Sequence, residues 1–216
     1  MTAMYRRGVF VAASSCVAIL LVAIGVVVGM AWQSTRSAPD ATPTPSVVDV
    51  GFAQDMSTHH DQAILMARSL SPDVAPEIRG LADRIVAAQT AETATMRGRL
   101  SWFGAAPTSD HPMSWMSVSQ HHHSPPPGGP PMPGMASVDE LTRLAALRGR
   151  AAEILFLQLM IRHHRGGLTM SQAAHNDPRA SAPTKRLALT LMGEQGDEIG
   201  QMTLLLRARD AQPLPA

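Results

Sequence analysis

The chain of 216 residues has a single cysteine, Cys16, which lies in an apolar run near the amino terminus. Everything after it is therefore without a disulfide or a thiolate metal site. Aromatic residues make up 4% of the chain, so a core must rest on aliphatics and the 14 methionines. Lys185 is the only lysine, and the net charge is +1. No strong positive field exists to hold nucleic acid. Also missing are His-Glu-x-x-His, a phosphate loop, a dinucleotide fingerprint and a nucleophile elbow. Their absence argues against zinc-protease, nucleotide-dependent and serine-hydrolase chemistry.

What the chain does have begins with an uncharged apolar run over residues 9–32, preceded by Arg6 and Arg7. At about 1.5 Å per residue, such a run spans a bilayer core of roughly 30 Å. Basic residues before it place the amino terminus inside. Residues 1–32 are thus expected to be a single-pass signal anchor in the cell membrane, with the remainder on the extracytoplasmic side. The competing reading is an exported and cleaved form. Residues 33–48 are rich in Pro, Ser, Thr and Ala, and are expected to form a disordered linker. Outside the cytoplasm thiols oxidise, which favours thioethers as soft ligands.

The main signal is an internal duplication. Phe52, Gln54, Met56, His59, His60 and Met66 recur 104 positions on as Phe156, Gln158, Met160, His163, His164 and Met170. Steps of four and three place Phe52, Met56, His59, Ala63, Met66 and Leu70 on one helix face. A second stripe, Leu81, Ile85, Gln89, Glu92, Met96 and Leu100, recurs 106 positions on as Leu187, Leu191, Gln195, Glu198, Met202 and Leu206. Pro72 and Pro178 mark the ends of the first helices. Pro76 suits the first turn of the next one. Ser137 and Glu140 have capping-box spacing for a short additional helix. The pattern predicts an all-α four-helix bundle over 49–210, without strands. It consists of two helical hairpins, 49–103 and 151–207, joined by a long His/Met-rich connection, 104–136.

His59, His163, Glu92 and Glu198 fall on core-facing stripes. An unpartnered buried polar group costs roughly 1–3 kcal/mol, more if charged. Each Glu is therefore expected to accept from a nearby His, fixing the other ring nitrogen for a ligand. His60 and His164 follow Met56 and Met160 by four residues, a spacing at which side chains meet. Methionine with histidine and no cysteine suits Cu(I) best; imidazole alone would also take Cu(II), Ni(II) or Zn(II). A methionine stripe can equally be plain core, and a His–Glu network can serve only to fix register. Met56 and Met160 stand three residues before a histidine, where a di-iron bundle would need Glu. The connection adds His111, Met113, Met116, His121, His122, His123, Met132 and Met135, an auxiliary set for metal capture. Trp102 and Trp115 either cover such a site or simply pack.

Met56-x-x-His59-His60 with Met66, Gln89-x-x-Glu92-x-x-x-Met96, the second copy of both, and Met132-Pro-Gly-Met135 before a Ser-x-x-Glu helix start together resemble one bacterial family. It is domain-of-unknown-function family 305, which includes CopM-like copper-binding proteins, and the resemblance runs over residues 49–207. It implies a ferritin-like bundle, exported, tied to copper or silver tolerance, and not an enzyme. Two departures stand out: Ser57-Thr58 in the first copy, and Gly166-Gly167 in the second. Glycines inside a helix cost about 1 kcal/mol each, so this pair admits a close neighbour or bends the helix.

The sequence thus points to a copper-binding protein that sequesters or transfers Cu(I), with Cu(II) and Ag(I) as further candidate ions. The expected ligands are Met56, His59, His60, Met66, Met160, His163, His164 and Met170. Glu92, Glu198, Gln89, Gln195, Met96 and Met202 are expected to support them. The alternatives are a structural or interaction bundle without metal, and a metal-dependent redox enzyme.

Overall fold

The computed structural model describes residues 21–32, 44–116 and 131–214. The chain divides into two compact units, Met1–Thr44 and Pro45–Ala216. In the first, residues 21–32 are helical (α1) and exposed. Among the described residues no helix is long and apolar enough to cross a membrane. Residues 9–20, the other half of the expected anchor, lie outside them, as does most of the expected linker.

The second unit holds α2 (Val47–Ser69), α3 (Pro76–Trp102), α4 (Val138–Ala146), α5 (Gly149–Asn176) and α6 (Ala182–Arg207). The described residues include no strand. Helix α2 starts earlier than the linker boundary at residue 48 predicted. Ser46 caps it: its hydroxyl accepts from Asp49 N at 3.1 Å, while the Asp49 carboxylate accepts from Ser46 N at 2.9 Å. The other oxygen of Asp49 accepts from Ser181 N at 2.9 Å, where α6 begins. One carboxylate thus fastens the starts of two helices. Pro76 occupies the first turn of α3, and the Ser137–Glu140 capping box opens α4.

Helices α2 and α3 form one hairpin, α5 and α6 the other, and α2 packs on α5 between them. Short α4 bridges α2 and α5, held there by the Arg162–Glu140 ion pair at 2.6 Å. Two buried clusters make the core. One gathers Met66, Leu81, Ile85, Phe156, Met160, Met202 and Leu206 among others. The other gathers Phe52, Met56, Met96, Leu100, Met170 and Leu191. The duplication exchanges them: Met56, Met96 and Met170 map onto Met160, Met202 and Met66. The core therefore has pseudo-twofold symmetry, and each cluster joins residues of both copies.

Candidate metal centre

Between the clusters lies a layer of four imidazoles. His59, His60, His163 and His164 are at most 1% exposed. His60 Nε2 donates to the Glu92 carboxylate at 2.6 Å, and His164 Nε2 to Glu198 at 2.6 Å. His59 Nε2 donates to the Pro133 carbonyl at 3.0 Å, and His163 Nε2 to the His59 carbonyl at 3.0 Å. Carbonyls and carboxylates accept only, so all four rings carry their proton on Nε2. All four Nδ1 atoms are buried and have no hydrogen-bond partner. His59 and His163 stack across the symmetry axis, their centroids 3.7 Å apart.

The electrostatics keep His59, His60 and His163 neutral. Burial, then the neighbouring imidazoles, hold His59 and His60 down to about 3 and His163 well below its ordinary value. Neutral imidazole is the form that ligates metal. Burial raises Glu92. Glu194, one residue off the α6 stripe, hydrogen-bonds Glu92; desolvation and then that bond push it up to about 7. Glu92 and Glu198 sit at the rim, with side chains 16% and 22% exposed. Gln89 and Gln195 are buried, each with one unpartnered amide atom.

The thioethers flank this layer. Met56, Met66, Met96, Met160, Met170 and Met202 are all fully buried. Sequence spacing groups Met56 with Met66, but the two fall in different clusters: Met66 with Met160 and Met202, Met56 with Met96 and Met170. Periodicity gives the face of a helix and not the neighbour across it. Among the described residues no group of three or more His, Cys, Asp or Glu side chains is arranged to hold a metal ion. Nitrogen and oxygen donors alone therefore make no site of three or more ligands among the described residues. The residues fit a soft ion: four buried Nδ1 atoms lack a hydrogen-bond partner, and thioethers lie on both sides of them.

The described ends of the connection are not a free arm. They lie along the face of α2 that the duplication leaves open. Gln54 Nε2 donates to the Ala106 carbonyl at 2.8 Å. Gln62 pairs with Ala136, donating to its carbonyl at 2.9 Å and accepting from its N–H at 2.7 Å. Buried Asp55 accepts from Met113 N at 2.6 Å and from Trp115 Nε1 at 2.8 Å. Met113 is held at φ 66°, a left-handed conformation that costs a residue with a Cβ roughly 1–2 kcal/mol. Met113, Met116 and Met132 are buried in the cluster of Met56, and Met135 lies partly buried against it. Trp115 packs edge-on against Phe52, whereas Trp102 is exposed. His111 is exposed. His121, His122 and His123 lie outside the described residues.

The glycine pair has a local cause. A Cβ on Gly166 would stand 2.0 Å from the Pro133 carbonyl oxygen, and one on Gly167 2.2 Å from Gln195 Oε1. Gly134, at φ 74°, in turn lies against the Arg162 carbonyl, 2.3 Å from where a Cβ would be. The Pro133-Gly134 turn thus wedges against α5, and the Pro133 carbonyl accepts the hydrogen bond from His59 Nε2. Asp55 and Glu194 are residues of this site that the sequence reading did not pick out. It marked Gly166 only as a break in the repeat and Pro133 and Gly134 only as part of the Met132–Met135 motif.

Fold and site together define a helical bundle with a duplicated histidine–methionine interior. The chain belongs to the family described as Domain of unknown function (DUF305), whose model matches residues 49–206. It is similar to a DUF305 protein of Streptomyces coelicolor, provisionally described as secreted: 35% identity, 78% of this chain and 96% of that one, TM-score 0.68. A DUF305 fragment from Deinococcus radiodurans is 30% identical over 77% of this chain and 99% of that one, with a TM-score of 0.61. CopM in the Cu(I)-bound form shares the fold at 23% identity, covering 74% of this chain and 96% of that one, TM-score 0.55. No curated protein matches the chain.

Proposed function

We propose that this is an extracytoplasmic copper-binding protein that holds or hands on Cu(I) without turnover, anchored through residues 9–32. One observation carries the reading: four buried imidazoles, each committed at Nε2, leave four Nδ1 atoms without a hydrogen-bond partner beside buried thioethers. A hydrogen-bonded structural layer would satisfy both ring nitrogens more cheaply, because an orphaned buried acceptor is unfavourable. Met56, His59, His60, Met66, Met160, His163, His164 and Met170 are the proposed ligand pool. Glu92 and Glu198 accept from His60 and His164 and so fix the orientation of both rings. The fold shared with CopM, solved with Cu(I) and with silver, supports the choice of ion. The relative described as secreted supports export.

The test is competition for Cu(I) between the full chain in detergent micelles and a chromophoric chelator. Binding is expected to survive H121A/H122A/H123A and to be lost in H59A/H163A. Retention in H59A/H163A would move the site away from the stacked imidazole pair. The stacked His59–His163 pair favours one rival, a purely structural layer. In that case copper would give no rise in Tm, since a ligand of the native state must stabilise it. Oxygen uptake by the copper-loaded protein would favour a redox enzyme instead.

A further inference from the structure

The two pseudo-equivalent clusters are chemically unequal. One contains three methionines, Met66, Met160 and Met202, in a mass of leucine, isoleucine and alanine. The other contains six: Met56, Met96 and Met170 from the helices, and Met113, Met116 and Met132 from the connection. Its aliphatic complement is sparse, limited among large residues to Val48, Leu100 and Leu191. The connection therefore doubles the sulfur on one side of the imidazole layer and adds no buried methionine to the other.

Placement of Met113 is unusual for plain filling. Its backbone is left-handed, whereas the other positive-φ positions among the described residues are held by glycine, at Gly104, Gly134 and Gly149, or by a short polar residue, Asp210. The conformation is pinned by Asp55, a carboxylate 2% exposed that also grips the Trp115 indole. In the second copy the position of Asp55 is taken by Leu159, and the segment docked on that side is the carboxy-terminal tail, through Gln158 Nε2 to the Gln212 carbonyl at 2.8 Å, which brings no methionine. Gly51 makes room for the same Trp115, whose side chain lies 2.6 Å from where a Cβ would be. Strain held in place by surrounding structure points to a use for the residue it positions. Here the positioned group is a thioether turned into a sulfur-rich interior.

We propose that Met113 and Met132 complete a soft-metal site with Met56, Met96 and Met170, so that the first monovalent ion binds on this side of the pseudo-symmetric interior. This rests on the reading that the chain binds Cu(I), and it adds which half fills first and through which further ligands. Thioether-rich surroundings favour Cu(I) and Ag(I) over divalent ions.

The test uses the full chain in micelles with 13C-methyl methionine, titrated with Ag(I) as a redox-inert probe. Methyl resonances of Met56, Met96, Met113, Met132 and Met170 are expected to shift with the first equivalent, those of Met66, Met160 and Met202 only afterwards. Met113→Leu, close in volume, is expected to weaken the first equivalent by about tenfold or more. Metal-free spectra establish that each variant keeps the parent fold, and Met132→Leu takes the place of Met113→Leu if that variant does not. Simultaneous shifts in both clusters, the reverse order, or parental affinity in the folded connection variants would overturn the proposal. A silver response confined to the histidine resonances would overturn it while leaving copper binding by the bundle intact. No response anywhere would overturn both.

Discussion

Gly166→Ala isolates the contact on which the His59 hydrogen bond depends. The added Cβ would meet the Pro133 carbonyl oxygen at 2.0 Å, its carbon at 2.4 Å and Gly134 N at 2.9 Å. These are backbone atoms, so no side-chain rotation relieves the clash, and the turn must move away from α5. Overpacking of this kind costs about 1–3 kcal/mol. Displacing Pro133 also strips the acceptor from buried His59 Nε2, a further loss of about 1–3 kcal/mol. Alanine returns about 1 kcal/mol of helix propensity. The net expectation is a loss of about 1–5 kcal/mol, set against a typical 5–15 kcal/mol. Urea unfolding of the metal-free protein should show a lower midpoint with an unchanged slope. Gly167→Ala is the control. Its Cβ meets only the flexible end of Gln195, so propensity offsets most of the cost and stability should stay within about 1 kcal/mol of the parent. A Gly166→Ala protein as stable as the parent would refute the wedge.

Acid should destabilise the metal-free protein. His59 and His60 protonate near 6.5 when unfolded but only near 3 when folded, so the unfolded chain binds more protons between these values. Stability therefore falls as pH drops from about 6.5 towards 3, by up to about 2.7 kcal/mol per pH unit for two groups. Glu194, raised to about 7 from 4.5, acts in the opposite sense between those values, weakened by solvent screening at its exposed position. Urea midpoints that stay flat between pH 6.5 and 5 would contradict this. Glu198→Gln should weaken Cu(I) binding about 10- to 100-fold through its hold on His164; chelator competition measures it, and unchanged affinity would show that the carboxylate does not tune the ring. Asp55→Leu leaves Met113 N–H and Trp115 Nε1 without their acceptor, a loss of about 2–5 kcal/mol. Trp115 is 4% exposed whereas Trp32 and Trp102 are 61% and 79% exposed, so a red shift in tryptophan emission would report its release, and an unshifted spectrum would count against the pinning role.

The bundle was legible because helices write their buried face into every third or fourth residue. Phe52, Met56, His59 and Met66 gave the stripe, and the second copy gave the partner. Prolines at 72, 76 and 178 gave the breaks. The docking of the connection was not legible. Gln54, Asp55 and Gln62 lie off the apolar stripe, and their partners are main-chain groups of residues 106, 113 and 136. Backbone carbonyls leave no mark in a side-chain pattern. Grouping Met56 with Met66 followed one helix, whereas the core is assembled across the symmetry axis. Glu194 was overlooked because it is one residue off the stripe, and reaches the site only through Glu92.

The double grip of Asp49 has a mechanical consequence. Any tension on the amino-terminal segment reaches the bundle at Ser46, and there a single carboxylate joins that point to Ser181 on the opposite hairpin. A pull is thus shared between both hairpins at once, and α2 cannot be peeled away turn by turn without first breaking its hold on α6.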